Sequence, residues 1–171
     1  MSRPNKRMRF WFDTEFIDNK HTIELISIGM VSENGRTYYG VSNECDLTKA
    51  DSWVQQHVLT HLPDKSSWKS RAQIREDITL FIGNNSPEFW VYNGAYDWVV
   101  FCQLFGHIRD LPKGYPWYSN DLKQLWYVLG RPQLPEQKTD AHHALHDAEW
   151  NKSAWNYLMM LWEQRYGELP F

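Results

Sequence analysis

The chain has 171 residues, 42% of them hydrophobic. That is enough for one domain with its own core, since domains commonly run to roughly 100–200 residues, and it excludes a disordered protein. Its 18 basic and 21 acidic residues leave a net charge of −3, which excludes a globally basic nucleic-acid binder but not an acidic site that fills with metal ions and then attracts phosphate. Cys45 and Cys102 are the only cysteines; no disulfide framework, signal-peptide apolar region or membrane-length apolar run is present, so a soluble, cytoplasmic single domain over 1–171 with no membrane partner is expected.

Taken in chain order, Arg3, Lys6, Arg7 and Arg9 read as a solvated tail rather than a phosphate contact. Residues 8–16 form an aromatic strand, and residues 22–32, apolar on both faces, form a central one. Asn34-Gly35 then marks a hairpin into a third strand, TYYGVS. Across 51–62, Trp53, His57 or Val58, and Leu62 recur at helical spacing. Ser70 to Gln73 resembles a capping box ahead of Ile74, Ile78 and Phe81 on one helical face. A short strand over 88–92 leads through Gly94 into the helical VVFCQLFG, which stops near Gly106. After the loop PKGYPWYS, a helix capped by Ser119 or Asn120 carries Leu122, Leu125, Trp126 and Leu129, with Gly130 and Pro132 as its stop. A last helix runs from about 143 to 166, facing Ala148, Trp155, Leu158, Met159 and Trp162 inward. The order βββααβααα predicts an α/β fold with a mixed sheet, its first three strands antiparallel, flanked by helices.

Four acids and a group of histidines carry the chemistry. Asp13 and Glu15 stand two apart on a strand and so share a face, beside Phe10, Trp11, Phe12 and Phe16. Carboxylates among so much apolar surface are costly unless paired or metal-bound. Asp97 opens a helix just after the short strand, where the dipole favours an acid, and the tight Asn93-Gly94 entry aims it over the sheet edge. Asp147 follows His142, His143 and His146. His146, adjacent in sequence, does not easily share its face. His143 shares it at four residues' distance, and His142 reaches it from a loop, so the residues alone leave these two tied.

DTE, YNGAYD and HHALHDA, in that order, resemble the motifs of the DEDDh exonucleases, a family with the ribonuclease H-like fold. FWFDTEFI, HTIELISIG, Tyr38-Tyr39, Trp53-Val54, CQLFG and LKQLW extend the similarity, to about residue 160, to the ribonuclease AS branch, actinobacterial polyadenylate-specific 3′-exoribonucleases. Tyr92 and Tyr96 stand where that family commonly has histidine and phenylalanine. The resemblance implies Asp13, Glu15, Asp97, His142 and Asp147 as catalytic residues, His142 being selected by the family's four-residue gap before aspartate. It implies two Mg2+ ions, with Mn2+ as a substitute, held by Asp13, Glu15, Asp97 and Asp147. Such ions, roughly 3.5–4 Å apart, activate a water and stabilise the leaving oxygen, while His142 takes the water's proton. Glu15, Phe16, Ile17, His21, Trp98 and His142 are the expected substrate-binding residues, with aromatic faces stacking on unpaired bases. The implied substrate is single-stranded RNA with an adenylated 3′ end, cut to nucleoside 5′-monophosphates. Rival readings are a single-stranded DNA exonuclease and a non-catalytic RNA-binding protein of the same fold. Trp90, Trp117, Trp126, Trp150, Trp155 and Trp162 are assigned to the core or to the interface of a homodimer built on the C-terminal helix.

Overall fold

The computed structural model describes residues 7–139 and 141–167; Arg3 and Lys6 lie outside them. Strand β1 (Arg7–Asp18) alternates Phe10 and Phe12 towards one side with Trp11 towards the other, and all three are buried. A strand apolar on both faces must sit inside a sheet with layers on each side. Accordingly β1 pairs antiparallel with β2 (Ile23–Ser32), which pairs antiparallel with β3 (Thr37–Val41). Its other edge pairs parallel with β4 (Ser86–Val91), and β4 with the two-residue β5 (Asn120–Asp121), giving the order β3-β2-β1-β4-β5. The expected antiparallel opening and mixed sheet are present, and Gly35 takes the positive φ of the hairpin, +86°.

Helices α2 (Arg71–Ile82) and α3 (Ala95–Phe105) cover one face. There Phe10, Phe12, Phe89, Phe101, Ile74, Ile78 and Ile82 share a core. Ser70 and Gln73 form the expected capping box reciprocally. The other face carries α4 (Leu122–Val128) and α5 (Ala144–Tyr166), which close Leu122, Leu125, Trp155, Leu158 and Met159 over Trp11 and Trp90. A third cluster, Ile17, Ile26, Ala50 and Val58, lies beneath α1 (Ser52–His57).

Four expectations are corrected. Arg7 and Arg9 are not tail residues: they lie on β1, Arg7 Nε 2.9 Å from Glu88 and Arg9 Nη1 3.1 Å from Glu33. The helix expected over 51–62 ends at His57, and a 3₁₀ turn, Leu59–His61, follows; only Val58 of its spaced residues is buried, while Trp53 and His57 face outward. Asp121, rather than Ser119 or Asn120, caps α4, accepting from the Lys123 amide at 2.7 Å. Asn120 is spent on the sheet, pairing with Trp90 and donating Nδ2 to the Phe89 carbonyl at 3.2 Å, so β5 is a fifth strand that apolar periodicity does not reveal. Apart from these corrections, Trp117 is exposed and Trp150 lines a cleft, so of the core-or-interface assignment the core does not apply to either.

Candidate active site

Asp13 and Glu15 project from β1 towards the face covered by α5. Directly across the ladder from Asp13 is Gly29. A Cβ there would lie 2.2 Å from the Leu145 amide nitrogen and 2.3 Å from the Ala144 carbonyl carbon. Glycine thus lets the first turn of α5 rest directly on β2, with buried Ala144 and Ala148 extending the close seam. Asn151, one turn beyond Asp147, donates Nδ2 to the Phe12 carbonyl at 3.0 Å and pins α5 to the strand that carries Asp13. Asp147 stands in that first turn, where the helix N-terminus favours a negative charge.

Asp97 arrives from the other layer. Asn93 at φ +58° and Gly94, whose Cβ would meet the Val91 side chain at 2.4 Å, make the tight entry from β4 into α3. The Asp97 carboxylate is buried and accepts at Oδ1 from the Thr14 amide (2.9 Å) and hydroxyl (2.7 Å). Thr14 lies between Asp13 and Glu15, so it orients the third acid from the strand that holds the first two.

The histidine ambiguity separates in space. His142 occupies the turn before α5 at φ +67°, and its amide donates to Asp147 Oδ2 at 2.9 Å. One side-chain ligand atom each from Glu15, His142 and Asp147 lies within 4.8 Å of the others. His143 instead stacks between Tyr39, at 4.5 Å, and His146, at 4.2 Å, and neither histidine lines the cleft. Gln137 Nε2 donates to the other Asp147 oxygen.

Asp13, Glu15, Asp97, His142 and Asp147 together line a cleft of about 610 Å³ at the end of β1. Burial, then the charges of Asp97, Asp147 and Glu15, push the Asp13 carboxyl well above the usual carboxylate range. Burial, then Asp147 and Asp97, raise Glu15 to about 8. Burial also raises Asp97, against the two Thr14 hydrogen bonds. Among the described residues no lysine or arginine pairs with any of the four acids. Mutually repelling carboxylates of this kind are the hard oxygen donors a divalent cation such as Mg2+ takes, and Asp13, Glu15, Asp97 and Asp147 are the residues that could hold it.

The remaining expected residues divide. Phe16 and Ile17 line the cleft, although Ile17 is also buried against Ile26, Ala50 and Val58. Trp98 does not reach it: its ring lies 5.3 Å from Phe101 at 15° and packs against Phe12 and Phe89. His21 does not either, being exposed on the turn after β1. In their place the cleft presents Tyr96, half exposed and stacked on Phe16 at 5.7 Å, together with Trp53, Tyr92 and Trp150. No local sequence signal marked Gln137 or Asn151. Tyr96 stood out only as a position in a family-like motif, and Trp53 through such a motif and its helical spacing.

A model of the 3′-5′ exoribonuclease Rv2179c-like domain matches residues 8–159. The 3′-5′ exoribonuclease Rv2179c of Mycobacterium tuberculosis (strain ATCC 25618 / H37Rv) is 50% identical over 146 residues, covering 82% of this chain and 87% of that protein. Among solved structures, the zinc-bound Escherichia coli exonuclease I–single-stranded DNA complex superposes over 94% of this chain with a TM-score of 0.65 at 14% identity. A 3′-exonuclease described in 3′-end-specific recognition of histone mRNA stem-loop does so over 90% with a TM-score of 0.56, also at 14% identity. The chain spans 41% of that exonuclease I chain and 63% of the histone-mRNA exonuclease. At these identities the shared property is the fold, the ribonuclease H-like exonuclease fold expected from the motifs. Among the described residues no helix is long and apolar enough to cross a membrane.

Proposed function

The chain belongs to the Rv2179c-like 3′-5′ exoribonuclease domain family, and on that premise we propose that it removes nucleoside 5′-monophosphates from the 3′ end of single-stranded RNA, with adenylated tails as the preferred substrate. The observation that carries this reading is the convergence of Asp13, Glu15, Asp97, Asp147 and His142 on one cleft whose carboxyls are driven up in pKa by burial and mutual repulsion. Asp13 would serve two Mg2+ ions, with Glu15 and Asp147 completing one site and Asp97 the other. When bound, the ions supply charge neutralisation and Lewis acidity at the phosphate.

The chain's own residues have separable tasks. His142 takes a proton from the attacking water at its imidazole nitrogen as the water oxygen bonds to phosphorus and the bond to the 3′ oxygen of the shortened RNA breaks. Asp147 fixes the backbone of His142, and Thr14 holds Asp97 in place. Phe16 and Tyr96 form a stacked aromatic wall suited to an unpaired base. Glu15, or a backbone group near it, faces the terminal ribose in this reading, which is where RNA is told from DNA. The expected homodimer has an apolar surface available in Tyr127, Val128, Met160 and Tyr166, exposed on α4 and α5.

One digestion panel tests the proposal: poly(A), poly(U), poly(C) and mixed RNA beside DNA counterparts, with Mg2+, Mn2+ or EDTA. Poly(A) degraded fastest, only with metal, and to 5′-AMP is the expected result. Equal digestion of matched DNA and RNA removes the RNA assignment. Wild-type activity in Asp13→Ala removes the metal-centred chemistry.

A further inference from the structure

Helix α1 shares no motif with the acidic cluster, yet it touches the candidate base. The Trp53 ring lies 4.7 Å from the His142 ring at 77°, an edge-to-face contact. Trp53 also stacks against His57 at 4.8 Å and 23°, and the His57 Nδ1 lies 2.9 Å from the Trp53 carbonyl oxygen. Asp51 caps α1 by accepting from the Val54 amide at 2.8 Å, and buried Val58 roots the helix end in the cluster beneath it. The short helix that carries the indole is thus anchored at both ends, while the indole itself is 48% exposed.

His142 needs such a support. Its main chain is tied to Asp147 but adopts a left-handed φ of +67°, uncommon for a side chain of this size. Among the described hydrogen bonds none reaches its imidazole, which has ligand atoms of Glu15 and Asp147 within 4.8 Å of its own and further ring contacts against it. Those ring contacts come from Trp53 and, at 6.2 Å, His57.

We propose that Trp53 is a positioning residue that holds the His142 imidazole in its working rotamer, braced by His57. This rests on His142 acting as the base. A ring displaced by about 1 Å can cost on the order of 10²-fold in rate, so the effect falls on kcat. Trp53 also lines the cleft, and the competing role is direct stacking on an RNA base, which falls on KM.

The experiment is a double-mutant cycle on Mg2+-loaded enzyme with a short adenylate oligonucleotide, using Trp53→Ala, Trp53→Phe, His142→Ala and the pair Trp53→Ala/His142→Ala. Trp53→Ala is expected to lower kcat at least about tenfold with KM within about twofold, and Trp53→Phe, which keeps an edge-to-face ring, to recover most of it. In the His142→Ala background the Trp53 substitution is expected to cost under about twofold, because residues acting through one another are not additive. Thermal melts identify any variant that fails to fold, and Trp53→Phe then carries the cycle. A raised KM with kcat intact, or the same loss in both backgrounds while His142→Ala is itself impaired, overturns the positioning role and leaves the base assignment standing. Full activity in His142→Ala overturns both.

Discussion

Gly29→Ala puts the site's geometry to its most direct test, because the residue has no chemistry of its own. The added methyl would sit 2.2 Å from the Leu145 amide nitrogen and 2.3 Å from the Ala144 carbonyl, all backbone atoms of α5 or its first turn. Ordinary contact begins near 3.4 Å, so the start of α5 must retreat by about 1.2 Å. No rotamer can relieve a clash with backbone, and α5 is pinned to β1 by Asn151. Overpacking of this kind costs typically about 1–3 kcal/mol, and for a chain of this size each kcal/mol lowers Tm by roughly 2–4 °C. The larger effect is on function, since the retreat carries Asp147 and His142 away from Asp13, and a 1 Å misplacement can cost on the order of 10²-fold. Steady-state digestion of oligoadenylate with calorimetric Mg2+ titration should show kcat down by about that factor and weaker metal binding, in a protein whose circular dichroism remains that of the wild type. A variant with kcat within twofold and an unchanged melt would refute the view that close seating of α5 on β2 builds the site.

Three further outcomes follow from the same cleft. Glu15 is raised from 4.5 to about 8 by burial and its acidic neighbours, so in EDTA its contribution to stability is complete below about pH 4.5 and is lost as pH rises through about 8. His143, lowered by burial, contributes in the opposite sense, and from its ordinary 6.5 upward only the second half of that titration remains. Between pH 6.5 and 8.5 the melting temperature should therefore fall in the metal-free wild type and fall less in Glu15→Gln, while saturating Mg2+ flattens the wild-type curve; a metal-free Tm that rises over this window refutes the assignment. Thr14→Val removes the 2.7 Å hydroxyl bond to Asp97, a bond to a charged group being worth about 1.5–3 kcal/mol. The Mg2+ concentration for half-maximal activity should rise about tenfold and be restored by Thr14→Ser, and an unchanged metal requirement would disprove the holding role. Tyr96→Ala strips the exposed ring from Phe16. As base stacking is worth roughly 1–3 kcal/mol, KM for RNA should rise at least about fivefold with kcat nearly constant, whereas a loss confined to kcat would count against a stacking wall.

What could be read in the sequence was what is local. The doubly apolar β1, the capping box of α2 and the long α5 follow from periods and caps carried by neighbouring residues, and the Asp13–Glu15 pairing follows from strand alternation alone. What could not be read depends on residues far apart in the chain: Gly29 under Ala144 and Leu145, Thr14 on Asp97, Trp53 against His142. None of these has a spacing to detect, because each is created when two layers meet. The exchange of Trp98 for Tyr96 shows the same limit within one helix. Residues two apart on a helix point about 200° away from each other, so only one of this pair can face the cleft. Counting apolar residues favours neither. The choice is made by Asp97 between them: once its carboxylate accepts both Thr14 bonds beside Asp13, the phase of α3 is set, Tyr96 turns onto Phe16 and Trp98 into the core with Phe12 and Phe101. The polar contact at the site thereby decides which aromatic a substrate can meet.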